Sequence, residues 1–323
     1  MRSLLLVAPL LLLWPFTAPF AQGSLSACSN SAGTSQSSNS IFSEIVLKYA
    51  PIAYWSFEDS DLSDFSGAGY DLTTSGGDPC FISSTPQSNF GGAASFDSGS
   101  EDLLSAGAST AWAPDDLAVA AWAQVGSGSE GTVRVLLGTR GNPGRSGGWV
   151  LECGDDDLLY FYVSNYDNKG TNGVSSDEEL CKDGSWMFIV ASYQSGENEF
   201  GLYVNGSYAG YAKKEDLDFD TGNSNADEGA NTQPLTIGGG YELDSTGDFY
   251  YWDGVIDEVA VFDIALRICG AQTLWENVLE KVARQELAAA AGYQELMLSL
   301  GPQQYWSFNH AGQGVGTATD LVS

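Results

Sequence analysis

The chain is 323 residues long and carries a formal net charge of −30, from 42 acidic and 12 basic side chains. A chain this acidic repels phosphate backbones and anionic lipid, which argues against nucleic acid as a partner and against membrane insertion of the mature domain. Its length fits one large domain or two small ones.

The first 23 residues predict a secretory signal peptide. Arg2 precedes a Leu-rich run that three prolines interrupt, which suits a cleaved leader better than a membrane span. The protein is therefore expected to be secreted, either extracellular or at the cell surface. An alternative stays open at Cys28, because Leu25-Ser26-Ala27-Cys28 fits a bacterial lipoprotein box. The Ser-rich segment 24–43 then predicts a flexible linker.

Short apolar runs, separated by Gly, Asp, Asn and Ser, fill the region between Ala53 and Phe262. We predict strands at residues 52–57, 93–97, 117–125, 132–139, 149–153, 158–163, 186–193, 200–205, 207–212, 234–238 and 255–262. Asn205-Gly206 predicts a type I′ turn between two of them, because both residues tolerate positive φ. Many short strands with almost no helix are typical of an antiparallel sandwich.

The last of these strands carries two adjacent acids, Asp257 and Glu258, inside an apolar run. Asp253-Gly254 introduces the run as a turn, and Ala265-Leu266 follows it. A strand of this kind buries at least one face, so an acid within it needs a partner, a cation or solvent.

This segment resembles the closing segment of LamG-like jelly-roll domains (laminin G type 3-like) of the concanavalin A-like lectin/glucanase superfamily. Further segments resemble the same family in the same order: Ala53-Tyr54-Trp55-Ser56-Phe57-Glu58, Asp64-Phe65-Ser66-Gly67-Ala68-Gly69, Gly92-Ala93-Ala94-Ser95-Phe96-Asp97, Val119-Ala120-Ala121-Trp122, Phe200-Gly201-Leu202-Tyr203-Val204-Asn205-Gly206 and Pro234-Leu235-Thr236-Ile237-Gly238-Gly239. The resemblance implies an all-β fold, an antiparallel jelly-roll β-sandwich over residues 44–270. Its terminal strands, near Tyr54 and Val259, are expected in one sheet.

The start of this domain recurs near the end of the chain. Residues 46–57 match residues 297–308 at a constant offset of 251, with Leu, Pro, Tyr, Trp, Ser and Phe identical. Such a repeat predicts tandem domains. We therefore expect a helical linker at residues 271–300 and the truncated start of a second LamG-like repeat at residues 301–323.

Cysteine usage fits an oxidising compartment. Four cysteines lie in the predicted folded region and allow three connectivities: Cys80, Cys153, Cys181 and Cys269. Cys153 ends a predicted strand and Cys181 precedes the next apolar run, so we favour Cys153–Cys181, with Cys80–Cys269 as the consequent pair. The sequence has no CxxC spacing, and a zinc ribbon or thioredoxin-like site is unsupported.

The catalytic residues of a hydrolase are not recognisable in this sequence. The only histidine, His310, lies in the terminal stub, so the intact domain has no imidazole base. Hydrolases on the resembled fold carry Glu-x-Asp-x-x-Glu, whereas Glu242-Leu243-Asp244-Ser245-Thr246-Gly247 has Gly in place of the third acid. We expect no enzymatic activity, and a glycan-cleaving enzyme is the weaker alternative.

A structural calcium ion is the expected cofactor, because secreted sandwiches of the resembled superfamily often hold one. Carboxylate and carbonyl oxygens are the ligands it needs. If the terminal strands are neighbours, the acids Glu58 and Asp64 near the start of the domain could meet Asp257. The alternative is that Asp257 and Glu258 accept hydrogen bonds from backbone donors or pair with a nearby arginine.

Loop aromatics are the candidate ligand-binding residues, because exposed rings stack on sugar faces. The candidates lie in Gly- and Asp-rich surroundings: Tyr166, Tyr241, Tyr250, Tyr251 and Trp252. The alternative role for these rings is packing at the rim of the sandwich. Tryptophans inside apolar runs are expected in the core: Trp55, Trp122, Trp149 and Trp186.

Two functions remain. The first is a secreted or cell-surface recognition module that binds a glycan or glycoprotein without catalysis. The second is a structural spacer or adhesin repeat with no ligand of its own.

Overall fold

Antiparallel strands form most of the protein, whose computed structural model describes residues 41–83, 91–139, 148–164, 171–182, 184–213, 233–241, 248–266, 270–277, 306–307 and 319–320. The strands are β1 (Ala53–Trp55), β2 (Thr73–Thr74), β3 (Cys80–Ile82), β4 (Ala93–Phe96), β5 (Leu104–Ala108), β6 (Leu117–Val125), β7 (Arg134–Gly138), β8 (Gly148–Cys153), β9 (Leu159–Ser164), β10 (Thr171–Ser175), β11 (Trp186–Gln194), β12 (Glu199–Val204), β13 (Ser207–Lys213), β14 (Pro234–Ile237), β15 (Gly239–Tyr241), β16 (Phe249–Tyr251), β17 (Gly254–Phe262), β18 (Trp306–Ser307) and β19 (Thr319–Asp320). Helix α1 spans Ile41–Val46 and helix α2 spans residues 270–277. Short 3-10 turns lie at Leu47–Tyr49, Glu58–Ser60, Ser98–Ser100, Thr110–Trp112 and Ser195–Glu197.

Two large sheets face each other. Sheet A has the order β13-β12-β11-β6-β17-β4-β3, and β1 also pairs with β17. Sheet B has the order β10-β9-β8-β7-β14-β5-β2. This arrangement is an antiparallel jelly-roll sandwich and confirms the predicted fold class. Every strand predicted from the sequence is present, with ends shifted by two residues at most.

The first and last strands of the sandwich are neighbours, as predicted. Tyr54 in β1 lies opposite Ala260 in β17, and Trp55 lies opposite Val259. Strand β4 pairs with an earlier part of β17, residues 254–256. The same edge of β17 is therefore shared by β1 and β4.

The hydrophobic core lies between the two sheets, since alternate residues of each strand point inward. Trp55 from sheet A and Trp149 and Phe161 from sheet B are fully buried there. A second cluster covers the outer face of sheet A, where Val46 of α1 and Leu274 of α2 pack on the strands. The two helices thus shield the outer face of the sheet that contains the terminal strands.

The tryptophans expected in the core divide between the two clusters. Trp55 and Trp149 lie between the sheets, whereas Trp122 is buried in the second cluster. Trp186 is only partly buried and packs against that second cluster. Position along a strand predicted burial, but not the face on which each ring is buried.

The Asn-Gly turn forms as predicted. Asn205 has φ of 51° and Gly206 has φ of 72°, so both are left-handed, as a type I′ turn requires. The Asn205 side-chain oxygen accepts a hydrogen bond from the Phe188 amide at 2.9 Å. A Cβ at Gly206 would lie 2.2 Å from the Trp275 ring, so the α2 tryptophan requires glycine at this turn.

Cys153 and Cys181 form the favoured disulfide, 28 residues apart in sequence. Cys80 is also disulfide-bonded. Its predicted partner, Cys269, lies outside the described residues.

Several predictions concern residues outside the described ranges. These are the signal peptide, most of the linker 24–43, Cys28, Tyr166, residues 242–247, residues 278–305 and His310. Within the described ranges, α2 begins at residue 270, and Trp306–Ser307 pairs with Thr319–Asp320. No helix in the described part of the chain is long and apolar enough to cross a membrane.

Candidate functional site

A small hairpin, β15–β16, stands apart from the two large sheets as a two-stranded sheet of its own. The chain leaves β14 at Gly238, which has φ of 88° and whose amide donates to the Leu136 carbonyl at 2.8 Å. On the return, the Trp252 amide donates to the Gly238 carbonyl at 2.8 Å. Gly238 and Trp252 therefore fix both ends of the hairpin to the sandwich.

Three aromatic rings lie on one face of this hairpin. Tyr241 is opposite Phe249 in the register, and Tyr251 is two residues from Phe249, so the pleat places them together. The Phe249 ring centroid lies 5.0 Å from that of Tyr241 and 4.9 Å from that of Tyr251. All three are partly exposed. We call this surface the hairpin aromatic face.

A carboxylate borders the hairpin aromatic face. The Tyr251 hydroxyl donates to Glu101 Oε2 at 3.4 Å. Burial and the nearby Glu101 charge raise the pKa of Tyr251 above its ordinary value, so the hydroxyl stays protonated at neutral pH. The surface thus offers ring faces for the apolar side of a sugar, beside a hydroxyl and a carboxylate that can bond its hydroxyl groups.

The structure separates the ligand-binding residues that the sequence grouped. Tyr241 and Tyr251 share a face, but Tyr250 is on the other face of the hairpin. Its partner Gly240 faces β7, since a Cβ there would lie 2.8 Å from Val135. Trp252 is fully buried, which corrects its prediction as a ligand-binding residue: its ring anchors the hairpin in the core.

Sequence reasoning missed Phe249 and Glu101. Phe249 carried a usable signal, because Phe249 and Tyr251 are spaced by two residues and therefore share a strand face. Glu101 carried none, since it follows a 3-10 turn more than a hundred residues away and only the fold brings it to Tyr251.

A second candidate site is formed by buried acids on β17. Asp257 and Glu258 are both fully buried. The register with β6 shifts between Asp257 and Ala260, and Glu258 has φ of 53°. This is a β-bulge with a left-handed glutamate, a conformation that costs a non-glycine residue free energy. The bulge lies in the gap between the two partners of this strand edge, β1 and β4.

Glu58 approaches the bulge from the segment after β1. A Cβ at Gly91 would lie 1.7 Å from Glu58 Oε2, and the Gly92 amide donates to the same oxygen at 3.0 Å. Burial raises the pKa of Glu58 from 4.5 to about 7, against the lowering effect of the Gly92 hydrogen bond. Burial, followed by the charges of Glu258 and Glu58, also raises the pKa of Asp257 well above its ordinary value.

The hydrogen bonds of these acids are incomplete. Tyr54 donates its hydroxyl to Glu258. Both carboxylate oxygens of Asp257 and one of Glu58 have no hydrogen-bond partner within the described ranges. Like-charged carboxylates buried together repel each other unless they take up a proton or a cation. Glu58 and Asp257 therefore fit a hard cation such as Ca²⁺, which prefers oxygen ligands.

Asp64 does not join these acids as a free ligand. Its carboxylate accepts from the amides of Tyr54 at 3.0 Å, Ser66 at 2.8 Å and Tyr70 at 3.0 Å. It therefore stabilises the loop after β1. Among the described residues, no group of three or more His, Cys, Asp or Glu side chains is arranged as a metal site.

The two-sheet sandwich, with its paired terminal strands, defines a jelly-roll domain. The model of the concanavalin A-like lectin/glucanases superfamily (Laminin G 3) matches residues 97–267. This chain belongs to that family. No curated protein matches the sequence.

Solved structures share the fold. Domain 4 of AbnA, a GH43 extracellular arabinanase from Geobacillus stearothermophilus, in complex with arabinotriose, is 18% identical with a TM-score of 0.51, over 69% of this chain and 97% of that one. The receptor binding domain of botulinum neurotoxin D is 15% identical with a TM-score of 0.51, over 71% of this chain and 53% of that one. A structure of botulinum neurotoxin type C, whose cell entry is described as dependent on interaction with two ganglioside molecules, is 12% identical with a TM-score of 0.52. The match covers 72% of this chain and 52% of that one. The match thus spans about half of each neurotoxin chain.

Proposed function

We propose that this protein is a secreted or cell-surface recognition module that binds carbohydrate on the hairpin aromatic face, without catalysis. The observation that carries the proposal is the grouping of Tyr241, Phe249 and Tyr251 on one partly exposed face, with Glu101 bonded to Tyr251. Aromatic rings with adjacent polar groups are the usual means of recognising sugars.

The comparisons support a binding role. One neighbour is described in complex with arabinotriose and another as interacting with gangliosides. The acidity of this chain, −30 in total, favours a neutral glycan over an anionic one. Secretion is proposed from the leader at residues 1–23. Absence of catalysis is proposed from the missing third acid in the segment 242–247.

We also propose that a structural Ca²⁺ binds between Glu58 and Asp257. The support is specific: fully buried Asp257 at the strained bulge and partly exposed Glu58 both have raised pKa values and carboxylate oxygens without hydrogen-bond partners in the described ranges. A bound cation would neutralise the repulsion and hold the segment after β1 against β17. The ion would stabilise the fold. This role needs no contact between the ion and the hairpin aromatic face.

Alanine variants of the hairpin test the carbohydrate proposal. Tyr241→Ala, Phe249→Ala and Tyr251→Ala should each weaken binding to the best ligand of a neutral glycan array about tenfold, and arabinotriose is the first titrant for calorimetry. Tyr250→Ala is the matched control, because Tyr250 belongs to the same hairpin but faces the other way. We expect its affinity to stay within about twofold of the parent.

Two outcomes contradict the proposal. If the array shows no binding by the parent protein, with and without calcium, the spacer alternative is favoured. If the parent binds and all four variants bind equally well, the site is elsewhere on the domain.

A further inference from the structure

We propose a second carbohydrate-binding site on the outer face of sheet A, formed by β11, β12 and β13 around Gly201 and Tyr211. It is separate from the hairpin aromatic face, which belongs to β15 and β16. The proposal deepens the function above, because it rests on this domain being a glycan-binding module.

A β-bulge creates the exposed aromatic surface. Tyr208 and Tyr211 are three residues apart, so a regular strand would point them to opposite faces. The register between β12 and β13 shifts between Leu202 and Tyr203, which places Tyr208 opposite Tyr203 and Tyr211 opposite Gly201. The extra residue puts both tyrosines on the outer face. Their exposures are 50% for Tyr208 and 48% for Tyr211, far above those of most aromatic residues in the described ranges.

A shallow pocket lies beside Tyr211. Gly201 forms part of its lining, and the space left by its missing side chain is filled by the Tyr203 ring. The Tyr203 hydroxyl lies over this glycine, since a Cβ at Gly201 would come within 2.6 Å of that oxygen. Exposed Tyr211 forms one wall, while Tyr203 is 8% exposed and contributes a hydroxyl from a well-packed ring.

Phe200 and Ala265 also line the pocket, and its remaining lining residues are polar. Ser192 and Gln194 on β11 and Glu199 on β12 line the pocket. The register explains why they converge, because Ser192 is opposite Gly201 and Gln194 is opposite Glu199. The exposed Lys213 ammonium pairs with Glu199 at 3.3 Å and with Glu197 at 3.1 Å, so the carboxylate beside the pocket has a cationic neighbour. Hydroxyl, amide and carboxylate groups therefore surround a single exposed ring.

This combination selects its ligand. The ring of Tyr211 suits the apolar face of one sugar unit, and the polar groups suit its hydroxyls. The total charge of −30 disfavours sialylated or sulfated glycans. Because the pocket is small and open, one sugar unit would lie on the Tyr211 ring with only its edge in the pocket, and its affinity would be weak. The occupant is therefore a neutral, single sugar unit at the end of a glycan.

Nuclear magnetic resonance on the ¹⁵N-labelled protein tests the site. Methyl glycosides of neutral hexoses and pentoses are titrated, and the amide shifts of Ser192, Gln194 and Gly201 are followed. At least one glycoside should shift these amides. Tyr211→Ala should weaken that titration about tenfold. Tyr208→Ala is the matched control, since Tyr208 is equally exposed on the same strand but does not line the pocket.

The outcomes separate this site from the proposed function. Shifts confined to residues 239–241 and 249–251 would overturn the second site and leave the hairpin aromatic face supported. Equal weakening by Tyr211→Ala and Tyr208→Ala would also overturn it, because a specific pocket must distinguish them. Absence of any shift at either site, in protein whose spectrum shows a folded domain, would refute both proposals.

Discussion

Without calcium, the domain should lose stability as the pH rises from about 5 to about 7.5. The pKa of Glu58 is raised from 4.5 to about 7 in the metal-free fold. Between these values the folded state holds more protons than the unfolded chain, so stability falls with increasing pH. The stabilisation that protonated Glu58 contributes is complete below pH 4.5 and is lost as the pH rises through about 7. Asp257 acts in the same direction, because its pKa is also raised.

The size of this effect follows from the pKa values. The rise in the pKa of Glu58 from 4.5 to about 7 would correspond to about 3.4 kcal/mol of unfolding free energy if Glu58 were fully buried. Glu58 is partly exposed, and solvent screening reduces the figure to about 1.5 kcal/mol. For a domain of this size the melting temperature should fall by roughly 3–6 °C.

Calcium should reverse the trend. A ligand at one hundred times its dissociation constant stabilises the folded state by about 2.7 kcal/mol. Protons compete with the cation for the same carboxylates, so the gain should be larger at pH 7.5 than at pH 5. Thermal unfolding in EDTA and in calcium, at pH 5 and at pH 7.5, gives the melting temperature under all four conditions.

Two variants sharpen the test. In EDTA at pH 7.5, Glu58→Gln and Asp257→Asn should be at least as stable as the parent, because each removes one of the repelling charges. Calcium should no longer raise the melting temperature of either variant. Asp64→Ala is the control: it removes acceptors for backbone donors and should lower stability equally with and without calcium. A metal-free melting temperature that is the same at pH 5 and pH 7.5, or a Glu58→Gln variant that still responds to calcium, would refute the reasoning.

Three further predictions concern stability. Replacing Cys153 and Cys181 by serine opens a 28-residue loop and should cost about 3 kcal/mol in urea unfolding, and an unchanged midpoint would contradict the disulfide. Asp157→Ala leaves Arg134 buried without the carboxylate that it bonds at 2.9 Å, so the free energy of unfolding should fall by about 3–5 kcal/mol. A loss under 1 kcal/mol would show that water replaces the carboxylate. Trp252→Ala should cost about 3–5 kcal/mol by calorimetry because it empties a core position, and a small loss would mean that the hairpin does not depend on this anchor.

Sequence patterns predicted the long strands well because these strands bury large side chains. Strand β6 has the predicted bounds, and β17 begins one residue earlier than predicted. Strands such as β5 (Leu104–Ala108) and β10 (Thr171–Ser175) were missed. They consist largely of small residues, which give no apolar alternation, and they become strands by pairing with neighbours: β5 with β2 and β14, and β10 with β9.

The candidate sites were predicted less completely, since they depend on contacts between distant segments. The Glu58 charge acts on Asp257, as expected if the terminal strands are neighbours, and calcium binding by these acids stays a prediction. Asp64 was misassigned because its role in the following turn depends on local backbone donors. The bulge beside Tyr208 leaves no mark in the sequence, and without it Tyr211 would be assigned to the wrong face.

The pairing of β1 with β17 also determines how the domain would respond to mechanical tension. In this antiparallel pair, Ala53 lies opposite Val261, so the incoming and outgoing chain meet at the same end of the ladder. A pull on both ends, after α1 and α2 detach, would break the bond from the Ile52 amide to the Val261 carbonyl first, and then the next bonds one at a time. This is unzipping, in which each hydrogen bond carries the force alone. A domain connected in this way yields easily when stretched, which suits a ligand-binding head better than an element that must bear tension.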